Sequence, residues 1–229
     1  MTSTEVVLNG LDSTTAWQEA LYVHLHQNPE LSLLETQTAA EIAERLRSFG
    51  YEVQHIGGGV VGVLANGEGR TVLVRADIDG LPVVEATGLT YASTKTAVDA
   101  TGATVGVMHA CGHDVHITAA LGAAQLLANA RDAWSGTYLA VFQPAEETAA
   151  GARAMVSAGL VDRVPKPDVA FTQHVLAAPP AGEVATASGP VLSAGDSIRI
   201  TVFGKGSHGS MPHLGVDPVV LAAAVILRQ

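Results

Sequence analysis

Met108-His109-Ala110-Cys111-Gly112-His113-Asp114-Val115-His116 places three histidines, one aspartate and the chain's only cysteine within nine positions. Cys111 and His113 stand two apart, so in an extended segment their side chains leave the same face. A thiolate and an imidazole converging there make half of a transition-metal site, and both ligand types suit zinc. A lone cysteine is also commonly a small core hydrophobe. Taken alone, the pair leaves a buried structural cysteine open.

Acidic and histidine-bearing segments on either side add to it. Asp77 and Asp79 share a face at the end of an apolar run, Thr71-Val72-Leu73-Val74, and carboxyl ends of strands are where open α/β sheets place their sites. A solvated Asp-Gly turn is the simpler reading of those two residues alone. Glu146 and Glu147 follow another apolar run. Adjacent side chains point apart, which suits one metal ligand and one proton-transfer group. An acidic first turn of a helix would also place two glutamates there. His174 closes the run Asp168 to Val175, as a ligand or as a satisfied core histidine, and His208 sits in a glycine-rich turn, Gly204 to Pro212.

The elements that must carry these residues read as alternating strands and helices. Helices are expected over Thr14–His26 (capped by Asp12 or Ser13), Thr36–Phe49, Val115–Ala130, Ala150–Ala158 and from Val219 on. Strands are expected over Tyr51–Ile56, from Arg70 to Asp79, Gly136–Phe142, Asp168–Val175 and Ser197–Phe203. Cys111 and His113 then precede a helix N-terminus, where a thiolate is favoured. Glu85 to Thr104 reads as loop, and the proline- and glycine-rich stretch through Pro190 as a linker. Gly57-Gly58-Gly59-Val60-Val61-Gly62 fits the spacing of a dinucleotide fingerprint. Val60 to Leu64 is β-branched and runs into the turn Asn66-Gly67-Glu68-Gly69, which makes a hairpin and counts against the alternative of a nucleotide-dependent oxidoreductase.

Composition narrows the class. The 229 residues carry a net charge of −10, which argues against nucleic acid and anionic membrane surfaces as partners. One cysteine permits no internal disulfide and fits a reducing compartment, the cytoplasm. The first residues have neither a basic nor an apolar signal region. The longest apolar run, Val219 to Leu227, is too short to span a bilayer.

Together these segments resemble the metal-dependent N-acyl-amino-acid amidohydrolases: hippurate hydrolases, bacterial aminoacylases and auxin-conjugate hydrolases. The matching stretches are Pro29-Glu30-Leu31, Arg75-Ala76-Asp77-Ile78-Asp79-Gly80-Leu81-Pro82, His109 to His116, Phe142-Gln143-Pro144-Ala145-Glu146-Glu147, His174, and Gly204 to Pro212, in the family order. The resemblance implies an α/β fold: a mixed, largely parallel sheet flanked by helices in a zinc-exopeptidase-like catalytic domain. It also implies the start of a small α+β lid and dimerisation domain. On this reading residues 1–192 are the catalytic part and 193–229 the beginning of the lid, both incomplete. It further implies two divalent ions, zinc or manganese, bound by Cys111, His113, Glu147 and His174, with Glu146 as general acid/base and Asp79 orienting the site. Asp77 stands where distant relatives hold a ligand histidine, and Cys111 supplies the missing ligand instead. His208 corresponds to the lid histidine that reaches the substrate carbonyl, often across a dimer.

The implied reaction is hydrolysis of the amide bond in N-acyl or N-aroyl amino acids. A non-catalytic metal-binding or interaction protein on the same fold is the alternative, and intact Glu146 counts against it. The chain departs from the family in three places. Tyr22 and Val23 replace two basic residues usual before Leu25-His26. Gly80 replaces an alanine. A further ligand histidine expected near the family's C-terminus has no counterpart here, so the chain reads as a fragment, expected to be inactive alone.

Overall fold

The computed structural model describes residues 1–177, 180–191, 195 and 198–228. They form two compact units, Met1–Ala177 and Ala178–Gln229. The domain boundary expected at 192/193 lies outside the described residues.

The first unit opens with helices α1 (Ser3–Leu8), α2 (Leu11–Gln27) and α3 (Thr36–Ser48). The first was not foreseen, although Thr2-Ser3-Thr4-Glu5 spells a capping box. Glu5 N–H donates to Thr2 Oγ1 at 3.3 Å and Thr2 N–H to Glu5 Oε2 at 2.7 Å. Helix α2 starts earlier than expected, behind Gly10 instead of Asp12 or Ser13, and stops at Asn28 before Pro29. The hairpin β1 (Glu52–Ile56) and β2 (Gly59–Asn66) follows. Gly57, at φ 58°, turns it, and a Cβ there would lie 2.5 Å from the Ala154 carbonyl oxygen. No helix starts at this glycine cluster, so it lacks the scaffold a pyrophosphate site needs.

Strand β3 (Thr71–Asp77) comes after the exposed turn at Gly67-Glu68. The stretch expected as loop holds a small hairpin, β4 (Thr96–Val98) and β5 (Thr104–Gly106). Its alternating Thr-Ala-Val and Thr-Val-Gly triplets are too short to show a period. Next come α4 (His113–Asn129), β6 (Gly136–Gln143), α5 (Gly151–Ser157), α6 (Leu160–Arg163) and β7 (Val169–Thr172). The main sheet runs β1-β2-β6-β3-β7. It is mixed: β1–β2 and β2–β6 pair antiparallel, and β6–β3 and β3–β7 parallel.

Strand alternation sends successive side chains to opposite faces. Tyr138, Ala140 and Phe142 of β6, with Val60 and Leu64 of β2, meet Leu21, Ile42, Leu46, Ile117 and Leu121 from α2, α3 and α4. Each such aliphatic side chain, when fully buried, contributes about 1.5–3 kcal/mol. On the other face Val61 and Val141 meet Ile56 and Met155. Helices therefore cover both faces of the sheet's centre, and its free edge β7 stays exposed.

In the second unit, Lys205 and Val216 bridge antiparallel, and α7 (Pro218–Ile226) starts at Asp217, whose side chain accepts from Val219 N–H at 2.8 Å. The strand expected over Ser197–Phe203 does not form: Ser197 lies outside the described residues, and 198–203 join no ladder. No helix among the described residues is long and apolar enough to cross a membrane.

Candidate metal centre

The parallel strands set the site. Asp77, the last residue of β3, pairs in register with Gln143, the last of β6, so both chains leave the sheet at the same level. Beyond those ends lie Asp79, then Glu146 and Glu147, and past the end of β7, His174. Helix α4 points its N-terminus at the same rim and begins with His113. Backbone bonds pin the loops: Ile78 N–H to Gln143 O at 3.1 Å, Gly80 N–H to Glu30 O at 2.7 Å, and Leu81 N–H to Met108 O at 2.9 Å.

Cys111 and His113 converge, but not along an extended segment. Gly112 between them is left-handed, at φ 80°, and caps α4, so His113 is the helix's first residue. A Cβ on Gly112 would lie 2.3 Å from Val175 Cγ2, which is why the loop needs glycine there. Glu146 and Glu147 are not a helix cap pair either: they occupy a turn, and α5 starts only at Gly151. His174 is exposed, so it is no satisfied core histidine.

His113 is the hub. Its Nδ1–H faces the Asp79 carbonyl at 2.9 Å and Asp79 Oδ1 at 3.2 Å. That leaves Nε2 buried and, among the described residues, without a hydrogen-bond partner. Around Nε2 stand Asp77 Oδ2 at 3.5 Å, Glu147 Oε1 at 3.8 Å and Glu146 Oε2 at 3.9 Å. Glu147 Oε1 is likewise buried and has no hydrogen-bond partner among the described residues. Cys111 Sγ lies 3.6 Å from His174 Nε2. Ligand atoms come within 4.8 Å of one another in three groups: Cys111–His113–His174, His113–Glu146–Glu147 and Asp77–His113–His116. A buried lone pair facing a buried carboxylate oxygen, with a thiol and a second imidazole alongside, is a donor set that fits divalent metal of the zinc type.

His116 is better occupied than the third group suggests. Its Nε2 accepts Val175 N–H at 3.0 Å, which puts its proton on Nδ1, and Nδ1–H donates to Asp77 Oδ1 at 2.5 Å. Both ring nitrogens are thus engaged, holding Asp77 and the segment beside His174. Asp79 has a similar role: its Oδ2 accepts from Ser32 Oγ at 2.6 Å and from Glu147 N–H at 3.0 Å. Ser32, His116 and Glu35, which accepts Ala145 N–H at 2.7 Å, were missed as parts of the site. Nothing in the spacing of the first and last marks them; His116 was in plain view within the histidine-rich stretch.

Electrostatics agree with a site made for cations. Burial works against ionised Asp77, but the His116 hydrogen bond and the charges of His113 and Arg75 hold it down to about 2. Burial would depress His113, yet the Asp79 hydrogen bond and surrounding carboxylates raise it. Glu147 is raised, chiefly by burial. Cys111 is pushed up to about 11 by burial and by Glu147, Glu146 and Asp77. The thiolate expected from the helix N-terminus is therefore not favoured by the protein alone: burial first, then three neighbouring carboxylates, raise the thiol. A bound divalent ion reverses that balance.

Cys111, His113, Glu146, Glu147, Asp77, Asp79 and His174 are thus brought to one rim of the first unit. His208 belongs to the second, in a turn where its Nδ1 lies 2.8 Å from Ser210 Oγ.

Comparison with known proteins places this arrangement among relatives. The family described as Peptidase family M20/M25/M40 matches residues 73–227. Thermostable carboxypeptidase 2 of Saccharolobus solfataricus is 39% identical over 227 residues, covering 96% of this chain and 55% of its own length. The hippurate hydrolase of Campylobacter jejuni is 39% identical over 212 residues, covering 91% of this chain and 52% of its own. The chain spans about half the length of these curated relatives. Among solved structures, the Bacillus subtilis YXEP protein, a dinuclear metal binding peptidase, superposes with a TM-score of 0.61 at 35% identity, over 71% of this chain and 43% of that one.

Proposed function

The chain belongs to the peptidase family M20/M25/M40, and on that premise we propose that its full-length protein is an amidohydrolase acting on N-acyl or N-aroyl amino acids. Cys111, His113, Glu147 and His174 would hold two divalent ions, zinc or manganese. When bound, such ions supply an activated water and a Lewis-acidic partner for the carbonyl oxygen.

The observation that carries the reading is the unequal setting of two adjacent carboxylates. The Glu147 side chain is 19% exposed, with an orphaned oxygen aimed at His113; that of Glu146 is 40% exposed and opens to solvent. This difference supports Glu147 as a ligand and Glu146 as the proton carrier. Glu146 takes the proton of the attacking water and returns it to the departing nitrogen. Asp79 fixes the His113 tautomer and, through Glu147 N–H, the glutamate turn. His208 donates to the developing oxyanion from the lid. The lid also carries the contact through which two chains pair as a homodimer.

Relatives named carboxypeptidase and hippurate hydrolase both support an amide next to an amino acid as the bond cleaved. A single cysteine among the ligands suits the reducing cytoplasm. Release of amino acid from N-benzoylglycine by the full-length protein, lost with a chelator and regained with zinc or manganese, is the test. A protein that binds the metal and cleaves no N-acyl amino acid would refute the reading.

A further inference from the structure

Three titratable side chains beside the centre have no part in the reaction above. His26 of α2, Glu85, and Asp114 of α4 are 6%, 0% and 2% exposed in their side chains, and they form one line. His26 Nδ1 lies 2.7 Å from Asp114 Oδ2, and its Nε2 lies 3.1 Å from Glu85 Oε1. An ionised carboxylate only accepts, so both ring nitrogens donate and the ring is an imidazolium. Burial works against that charge, but the bonds to Glu85 and Asp114 raise the His26 pKa. Tyr22 and Tyr91 pack against the imidazole, with ring centroids 5.6 and 5.4 Å away.

The line continues past Glu85. Its other oxygen, Oε2, accepts Ser93 N–H at 2.5 Å, and Ser93 Oγ donates to Val107 O at 2.7 Å. Val107 leads directly into Met108 to His113, and Asp114 follows His113. Side chains therefore join the two ends of the ligand-bearing stretch, from Asp114 through His26, Glu85 and Ser93 back to Val107. Cys111 and His113 lie within the circuit so closed. Gly112, left-handed between them, lets the backbone turn but cannot hold it, because glycine is the least restrained residue. The restraint on their separation has to come from outside the stretch.

Stability alone does not account for such a line. Desolvation offsets most of the attraction in a buried ion pair, and apolar side chains of similar volume often stabilise more. Its placement across the two ends of one short stretch points to geometry instead. We infer that His26 and Glu85 are positioning residues: they brace Val107 to Asp114 and hold Cys111 and His113 at the close spacing of their ligand atoms, within 4.8 Å. The inference rests on Cys111 and His113 being metal ligands, and the test separates the two.

The full-length protein is stripped of metal and titrated with Co²⁺ alone. The readouts are affinity and the near-ultraviolet thiolate-to-cobalt band that Cys111 gives as a ligand. Glu85→Ala cuts the circuit, so affinity should fall about tenfold or more and the band should weaken. Glu85→Gln keeps the circuit in neutral form: its amide oxygen accepts from Ser93 N–H, and its amide N–H donates to the bare Nε2 of a neutral His26. It should recover most of the loss. His26→Ala combined with Glu85→Ala should lose little beyond either alone, because both cut the same circuit. At saturating Co²⁺, kcat for N-benzoylglycine should fall in Glu85→Ala while KM holds. Parent-like affinity and band in folded Glu85→Ala overturn the inference, and so does a loss in Glu85→Gln equal to that in Glu85→Ala. Should Glu85→Ala not fold, Ser93→Ala carries the test, since it removes one hydroxyl. A loss of about threefold is expected there, and parent-like affinity overturns the inference. A parent protein that binds Co²⁺ without the thiolate band would overturn Cys111 as a ligand, and the inference with it. A parent band that the variants leave unchanged overturns the inference alone.

Discussion

Glu35 Oε1 accepts the backbone N–H of Ala145 at 2.7 Å, and both residues are buried. Ala145 is held at φ 47°, a left-handed conformation costly for a residue with a Cβ. A carboxylate at the start of α3 thus fixes the turn that presents Glu146 and Glu147. Glu35→Ala leaves a buried N–H without an acceptor, and the expected loss is about 1–3 kcal/mol of unfolding free energy. Glu35→Gln keeps an acceptor and should lose less than half of that. Urea unfolding of both variants, with kcat measured alongside, checks the pair. Equal losses would mean the hydrogen bond is not what holds the turn.

Asp77 gives a pH dependence of known sign. Its carboxyl is held at about 2, below the ordinary 3.8. A carboxylate depressed on folding stabilises above its unfolded pKa, and that stability is lost as pH falls through the folded value. Metal-free protein should therefore exceed Asp77→Asn by about 2 kcal/mol near neutrality. The gap should close between roughly pH 4 and pH 2. A gap independent of pH across that window would remove the His116–Asp77 pair as its source.

Glu146→Gln should lower kcat on the order of 10²- to 10⁴-fold with metal content nearly intact, because a proton carrier is lost and no ligand is. Cys111→Ser should do the reverse and empty the site first, since a hydroxyl is a poor replacement for thiolate. Metal per chain measured against kcat in both variants decides the assignment. The opposite pattern would exchange the two roles.

His208→Ala should reduce kcat on the order of 10²- to 10³-fold without changing metal content. If the lid acts across a homodimer, mixing His208→Ala chains with Glu146→Gln chains should restore part of the activity. Heterodimers of proven exchange that stay inactive would assign the histidine to its own chain.

Much of this centre was legible because metal chemistry demands particular side chains. Cys111, His113, Glu147 and His174 were grouped through the resemblance of their segments, in order, to a known family, and the fold brings them to one rim. The supporting residues were not legible in that way. Ser32 and Glu35 are ordinary loop residues 47 and 110 positions from the groups they bind, and only folding brings them there. The local geometry was misread for a related reason. Cys-Gly-His looks like a two-residue alternation until the left-handed Gly112 turns it into a helix start. The hairpin and the long apolar strands were read correctly, since alternation and turn chemistry are local. The strand expected at Ser197–Phe203 had the same alternation, but its described residues, 198–203, join no partner strand among the described residues.

The turn at Gly67-Glu68 sits at the start of β3, opposite the rim that carries Asp77. Seven strand residues separate the two ends, roughly 20 Å at 3.3 Å per residue. Gly67 has nothing within 4 Å of where a Cβ would be, while the neighbouring Asn66 side chain anchors the strand end to Arg131 O and Trp134 O at 2.7 and 2.6 Å. The chain can therefore be opened there. A reporter domain or affinity tag spliced between Gly67 and Glu68 leaves the anchor and the reacting rim untouched, so this turn is the natural handle for immobilising the protein with its centre facing outward.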